Sequence, residues 1–182
     1  MIVALVLVPF GCAGHSTIGP YSAQKEVARN PLEAQRLTRE AAALMAADPV
    51  RAEETLREAL TFDLYHGPAH NNLGVLHLNR GELYEAAIEF EWARKLMPGH
   101  PDPRLNLALA LERAGRVDEA VAACDSALEV FPGHIATTEA LARLQLRYRR
   151  TDDRTRGFLE EIAMRGESEQ WREWARKQLA LD

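Results

Sequence analysis

The chain has 182 residues, 47% of them hydrophobic and 27% charged, with 27 acidic against 22 basic side chains and a formal net charge of −5. That length suffices for one domain with a sizeable buried core, and the acidic balance lacks the basic footprint on which nucleic-acid binding depends, so no nucleic-acid partner is expected. Two cysteines, Cys12 and Cys124, are too few for a disulfide framework and have no metal-ligand spacing.

The N-terminal stretch MIVALVLVPF carries no charged side chain. It is shorter than the roughly 20 apolar residues a membrane-spanning helix needs. An apolar run of about 7–15 residues followed by small residues is instead the core of a secretory signal peptide. Here it leads into Gly11-Cys12-Ala13-Gly14, which resembles the lipobox of bacterial lipoproteins, with Pro9 where Leu is usual. The resemblance implies that residues 1–12 are a signal peptide and lipobox, and that Cys12 is lipid-modified and becomes the N-terminus. It further implies a bacterial cell-envelope protein facing the periplasm, with Ala13 as second mature residue favouring the outer membrane. Residues 13–21, rich in Gly, Ser and Thr, read as a flexible tether.

Helical periodicity begins near Ser22 and continues to the C-terminus, so residues 22–182 form the folded domain. Within it, residues 67–134 hold one pattern twice, 34 residues apart: Leu73/Leu107, Gly81/Gly115, Glu85/Glu119, Ala86/Ala120, Ala93/Ala127, Pro98/Pro132 and His100/His134. A small residue ends one amphipathic stretch, Glu-Ala opens the next and Pro closes it, which is a helix–turn–helix unit that stacks on copies of itself. These residues resemble the tetratricopeptide repeat (TPR) family. The resemblance implies an all-α fold, a right-handed TPR superhelix, with full repeats at 67–100 and 101–134.

At the same register Ala52, Leu56, Ala59 and His66 lie over Ala86, Phe90, Ala93 and His100, giving a degenerate repeat at 33–66. There Ala47 replaces the turn glycine and Asp48-Pro49 supplies the break and cap. Towards the C-terminus Leu141, Ala142 and Phe158 are kept, but the alanine pair becomes Arg154 and Glu161, so 135–166 is expected as a partial repeat, mainly its first helix. Residues 168–181 place Trp171, Trp174, Ala175 and Leu179 on one helical stripe, as a capping helix over the last repeat would.

The repeated alanines belong where helix axes approach to about 8–10 Å, and Leu73, Leu107, Phe90 and Cys124 fill the space between. Cys124 then reads as a small buried hydrophobe rather than a reactive thiol. His66, His70 and His77 share roughly one helical phase, but a turn separates the first two and His70 and His77 sit at packing positions, so no metal site is expected. Arg143, Arg147, Arg149, Arg150, Arg154 and Arg156 form a basic cluster, broken by Asp152 and Asp153 and read as a solvated face that could meet an acidic partner or an anionic polymer. No phosphate loop, nucleophile elbow or catalytic carboxylate pair stands in a supporting context, so neither an enzyme nor a cofactor is expected.

TPR resemblance implies that the first helix of each pair lines an inner groove, with an Asn before the repeated Leu bonding a peptide backbone. Asn72 and Asn106 hold that place, flanked in the outer repeats by Thr38 and Ala140. Leu37, Ala41, Leu44, Val75, Leu78, Leu105 and Leu109 are expected around them as an apolar lining. Asp102 and Asn106 stand where a Lys/Arg carboxylate clamp would be, so the groove is expected to take a partner's helix or extended apolar segment. The functional expectation is a lipid-anchored scaffold that binds a protein or peptide and helps assemble an envelope machine, the alternative being a cytoplasmic TPR adaptor without lipid.

Overall fold

The computed structural model describes residues 29–181, and among these there are nine α-helices. They are α1 Pro31–Leu44, α2 Pro49–Phe62, α3 Gly67–Arg80, α4 Leu83–Leu96, α5 Asp102–Arg113, α6 Val117–Val130, α7 Ile135–Arg147, α8 Thr155–Arg165 and α9 Glu169–Leu179. Consecutive helices pair as α1/α2, α3/α4, α5/α6 and α7/α8, each pair packs on the next, and α9 closes against α8. The result is an all-α TPR solenoid with a terminal helix over its last pair.

Local sequence sets the helix ends. Asn30, Asp48 and Ser168 accept backbone N–H bonds from Glu33, Arg51 and Trp171 at 3.1–3.2 Å, satisfying donors that a helix start leaves open. Gly81 and Gly115 adopt positive φ, 78° and 76°, and the following N–H groups of Glu82 and Arg116 reach back to the carbonyls of His77 and Leu111. The same closure recurs after α7, where the Arg150 N–H bonds Gln145 at 2.8 Å, but the left-handed residue is Arg149 at φ 54°. A side chain there costs about 1–2 kcal/mol, part of which glycine returns as chain entropy. Arg149→Gly should therefore raise the denaturation midpoint by up to about 1 kcal/mol equivalent, measured in urea.

The alanines behave as spacers: Ala52, Ala59, Ala86, Ala93, Ala120 and Ala127 are fully buried, as are Leu56, Phe90 and Cys124 between them. Burial pushes the Cys124 thiol up to about 12, with the neighbouring Asp125 charge adding to the effect and Arg143 opposing it. It is a packing residue with almost no thiolate at neutral pH.

Two repeats depart from the expected register. In α1 the buried residues Ala34, Leu37, Thr38 and Ala41 match His70, Leu73, Gly74 and His77 at a spacing of 36, not 34. The cause is the α1–α2 turn, Met45 to Asp48, two residues longer than the Gly81-Glu82 turn. In the fourth repeat the second helix is present as α8, where Thr155, Leu159 and Ile162 take the places of Ala120, Cys124 and Ala127 at a spacing of 35. A longer turn after Arg149 restores the helical phase that a 34-residue shift misses. The expected helical start near Ser22, the tether and Cys12 lie outside the described residues.

Helix α9 buries Ala175 and half-buries Trp171, Trp174 and Leu179 against Ala142, Leu159 and Ile162. The turn before it is held by Glu139 of α7, a buried carboxylate that accepts the Glu167 N–H at 2.7 Å. Burial raises the Glu139 pKa above the ordinary range, the Glu167 N–H opposes this, and the Glu167 charge adds to it. The folded state thus binds more protons than the unfolded chain just above pH 4.5, so this group's stabilising contribution is lost as pH rises through its folded pKa. Glu139→Gln keeps the acceptor without the charge. The variant should melt at or above the wild-type temperature at pH 7 and converge with it near pH 4.5, followed by circular dichroism.

Candidate partner-binding surface

The first helices α1, α3, α5 and α7 form one wall of the solenoid, with α3 touching both α1 and α5. On that inner wall Asn72, Val75, Leu105, Asn106 and Leu109 are partly exposed. Val75, Leu105 and Leu109 rest on the core with one side and leave the other uncovered. Three expected lining residues do not belong to the surface, among them Ala41, which is fully buried beside Leu37. Leu37 is 4% exposed because the long α1–α2 turn rotates it into the core position of Leu73, and the place corresponding to Asn72 in that repeat falls to Arg36. Leu78 is 6% exposed, enclosed with Ala86, Phe90 and Leu111.

Asn106 donates from Nδ2 to the Asn71 Oδ1 at 2.9 Å, tying α5 to α3. One of its donors is thus committed within the scaffold, while its carbonyl and the Asn72 amide face no hydrogen-bond partner among the described residues. Asn71 was not singled out by sequence, because it stands one residue before the repeated Asn.

Beyond Leu109 the inner wall becomes basic. A cavity of about 440 Å³ is lined by Leu109, Glu112 and Arg113 of α5, Arg143 and Arg147 of α7, and Tyr148. Arg143 holds Glu112 through two bonds of 2.8 and 2.6 Å, and Arg147 reaches the same carboxylate only at 3.6 Å. The Arg147 guanidinium lies 5.4 Å from the Tyr148 ring centre, and Arg113 donates to the Leu78 carbonyl at 2.9 Å. Sequence carried a signal for this site, since Arg113 and Arg147 stand 34 residues apart.

Three of the remaining four arginines of the basic cluster are spent on the scaffold. Arg150 pairs with Asp118 at 2.9 Å, Arg154 with Asp125 at 2.8 Å and Arg156 with Glu160 at 3.2 Å, the first two crossing from the fourth repeat to the third.

Of the three histidines that share a helical phase, His70 and His77 are likewise occupied, whereas His66 Nε2 is buried without a hydrogen-bond partner among the described residues. His70 is buried, with Nδ1 2.7 Å from Glu89 and Nε2 2.9 Å from the Leu64 carbonyl, two acceptors that suit the protonated ring. Burial, the largest influence, works to lower its pKa, but both hydrogen bonds and the Glu89 charge outweigh it, leaving the value raised. His77 meets Glu82 at 2.6 Å. Among the described residues no three metal-ligating side chains converge.

On the outer wall a cleft of about 420 Å³ opens between α4 and α6, flanked by Tyr84, Ile88 and Trp92, with Leu107 and Leu111 at its base. Those three α4 side chains are 75%, 41% and 45% exposed. Trp92 also stacks on the His70 ring at 5.9 Å.

Residues 101–144 match the family model described as tetratricopeptide repeat. Tetratricopeptide repeat protein 8 of Mus musculus and that of Homo sapiens are each 28% identical over 94 residues, covering 52% of this chain. The match spans under a fifth of the length of these relatives, 18% and 17%. Among solved structures, the APC/C hetero-tetramer Cut9-Hcn1 aligns with 80% of this chain and 30% of its own, at TM-score 0.69 and 17% identity. The Thermobaculum terrenum O-GlcNAc transferase aligns with 74% of this chain and 26% of its own, at TM-score 0.67 and 23% identity. The first TPR domain of RPAP3 (Spaghetti), bound to an HSP90 peptide, aligns with 68% of this chain and 98% of its own, at TM-score 0.62 and 14% identity. At these identities the structural neighbours share the fold alone. Repeat spacing, helix pairing and these likenesses agree on a tetratricopeptide repeat fold, with the family model itself matching residues 101–144.

Proposed function

We propose that this protein is a non-catalytic scaffold that holds a protein or peptide partner on its inner wall, tethered by lipid on Cys12 to a bacterial cell envelope, where it helps assemble a larger machine. The observation that carries the binding role is the line of partly exposed residues Asn72, Val75, Leu105, Asn106 and Leu109 on α3 and α5. Amides there supply donors and acceptors for a backbone, and the uncovered apolar sides accept alternate side chains. The RPAP3 domain bound to an HSP90 peptide is a solenoid of the same fold with a peptide ligand. Support for the anchor is the apolar run ending in Gly11-Cys12.

A photo-crosslinking amino acid placed at Asn72 should trap a protein partner in cells, and one placed at Ile88 should not. Trapping at Ile88 alone would move the function to the outer cleft. Metabolic labelling with palmitate should mark the wild type and not Cys12→Ser, which should leave the membrane fraction. Pro9 in the lipobox favours the second reading, a cytoplasmic TPR adaptor, and unlabelled wild type in the soluble fraction would establish that instead.

A further inference from the structure

The basic cavity does not end at α7. Arg143 lines a second cleft of about 290 Å³, whose other walls are Gln170, Trp171 and Trp174 of the terminal helix. The two indoles meet edge to face at 5.2 Å, and both remain partly exposed. A charged compartment and an aromatic one are therefore joined through a single guanidinium.

The charges in the first compartment do not balance. Three guanidiniums surround one carboxylate, and that carboxylate is engaged by Arg143 at 2.6–2.8 Å. Arg113 has no carboxylate partner among the described residues, and Arg147 has Glu112 only at 3.6 Å. This local excess stands on a chain whose net charge is −5. Elsewhere in the fourth repeat Arg150 and Arg154 are neutralised by Asp118 and Asp125.

We propose that this joined surface binds an acidic segment of a protein partner: side-chain carboxylates seat on Arg113 and Arg147, and a neighbouring apolar or aromatic side chain enters the tryptophan cleft. The proposal rests on the inner-wall reading above and gives its partner a chemistry. Guanidinium groups recognise carboxylates through paired, charge-assisted hydrogen bonds, and Tyr148 beneath Arg147 restricts where its fork points. A small anion would leave the aromatic compartment unused, whereas a peptide spans both.

The test uses the full chain and three acetylated, amidated fluorescent peptides: EEDFEE, its Phe-to-Ala counterpart EEDAEE, and the charge-reversed KKNFKK. EEDFEE should bind saturably, and EEDAEE should bind several-fold more weakly. KKNFKK should not bind. Combining Arg113→Gln with Arg147→Gln should weaken EEDFEE at least about tenfold, equivalent to 1.4 kcal/mol. Raising salt from about 0.05 to about 0.5 M should weaken it similarly, because exposed charges are screened. Equal binding of KKNFKK, or an unchanged affinity in the double variant, overturns the proposal. So does equal binding of EEDFEE and EEDAEE with displacement of both by inorganic polyphosphate, the pattern of a bare anion site. The peptide comparisons need no protein variant, so they decide even if the double variant misfolds. If they fail while crosslinking at Asn72 persists, the inner-wall reading stands and only the acidic partner falls.

Discussion

Phe90→Ala is expected to lower the stability of the solenoid by about 3–5 kcal/mol, seen as a shift of the denaturant midpoint. The side chain is fully buried and is the largest of the residues enclosed in this way. It also faces a position without a side chain: a Cβ added to Gly74 would come within 2.5 Å of the ring. Phe90 and Gly74 therefore form one packing unit across the α3/α4 pair. Gly74→Ala alone should cost about 1–3 kcal/mol through overpacking. Combined with Phe90→Leu it should cost less than the sum, a coupling that a double-mutant cycle reads directly. The equivalent positions in the next two repeats hold Ala108 with Cys124 and Ala142 with Leu159, the same exchange of volume between facing helices. Additive costs would show that the two sites relax independently.

The second large effect is expected from the terminal helix. Replacing Trp171 and Trp174 together by Ala removes two half-buried rings and their mutual contact. Full burial of each would be worth about 3–5 kcal/mol, so half-burial of the pair should give about 3–5 kcal/mol in total. In a stack that coheres through nearest neighbours the loss should be local. Amide exchange in α7 and α8 should accelerate well before exchange in α3 and α4. Uniform acceleration along the chain would mean that the solenoid melts as one unit.

The difference between these two regions mirrors how well each was legible in the sequence. Residues 67–134 could be read almost residue by residue, because Gly81-Glu82 and Gly115-Arg116 close their helices through the same left-handed glycine and the same backbone bond, which keeps helical phase constant at 34. Phase failed where turn length changed. The two extra residues between Leu44 and Pro49 rotated Leu37 inward, and the longer turn after Arg149 disguised α8 by one residue. Leu78 was misplaced for another reason: periodicity gives the face of a helix but not the depth at which a neighbouring pair covers it. The arginine cavity went unread since its members come from two helices, and a run of arginines between 143 and 156 looked like one feature. In three dimensions it is two, a set of fastenings to Asp118 and Asp125 and an uncompensated pocket around Glu112.

The enclosed thiol of the third repeat has a use as a clock. Cys124 is the one cysteine among the described residues, fully covered and with its proton held to about pH 12. An alkylating reagent can consume it only while α5 and α6 part from their neighbours, since both access and ionisation then return to those of a free side chain. In a chain carrying Cys12→Ser, the rate of alkylation at neutral pH therefore counts the openings of the central repeat alone. A partner seated across α3, α5 and α7 would slow that count without touching the sulfur.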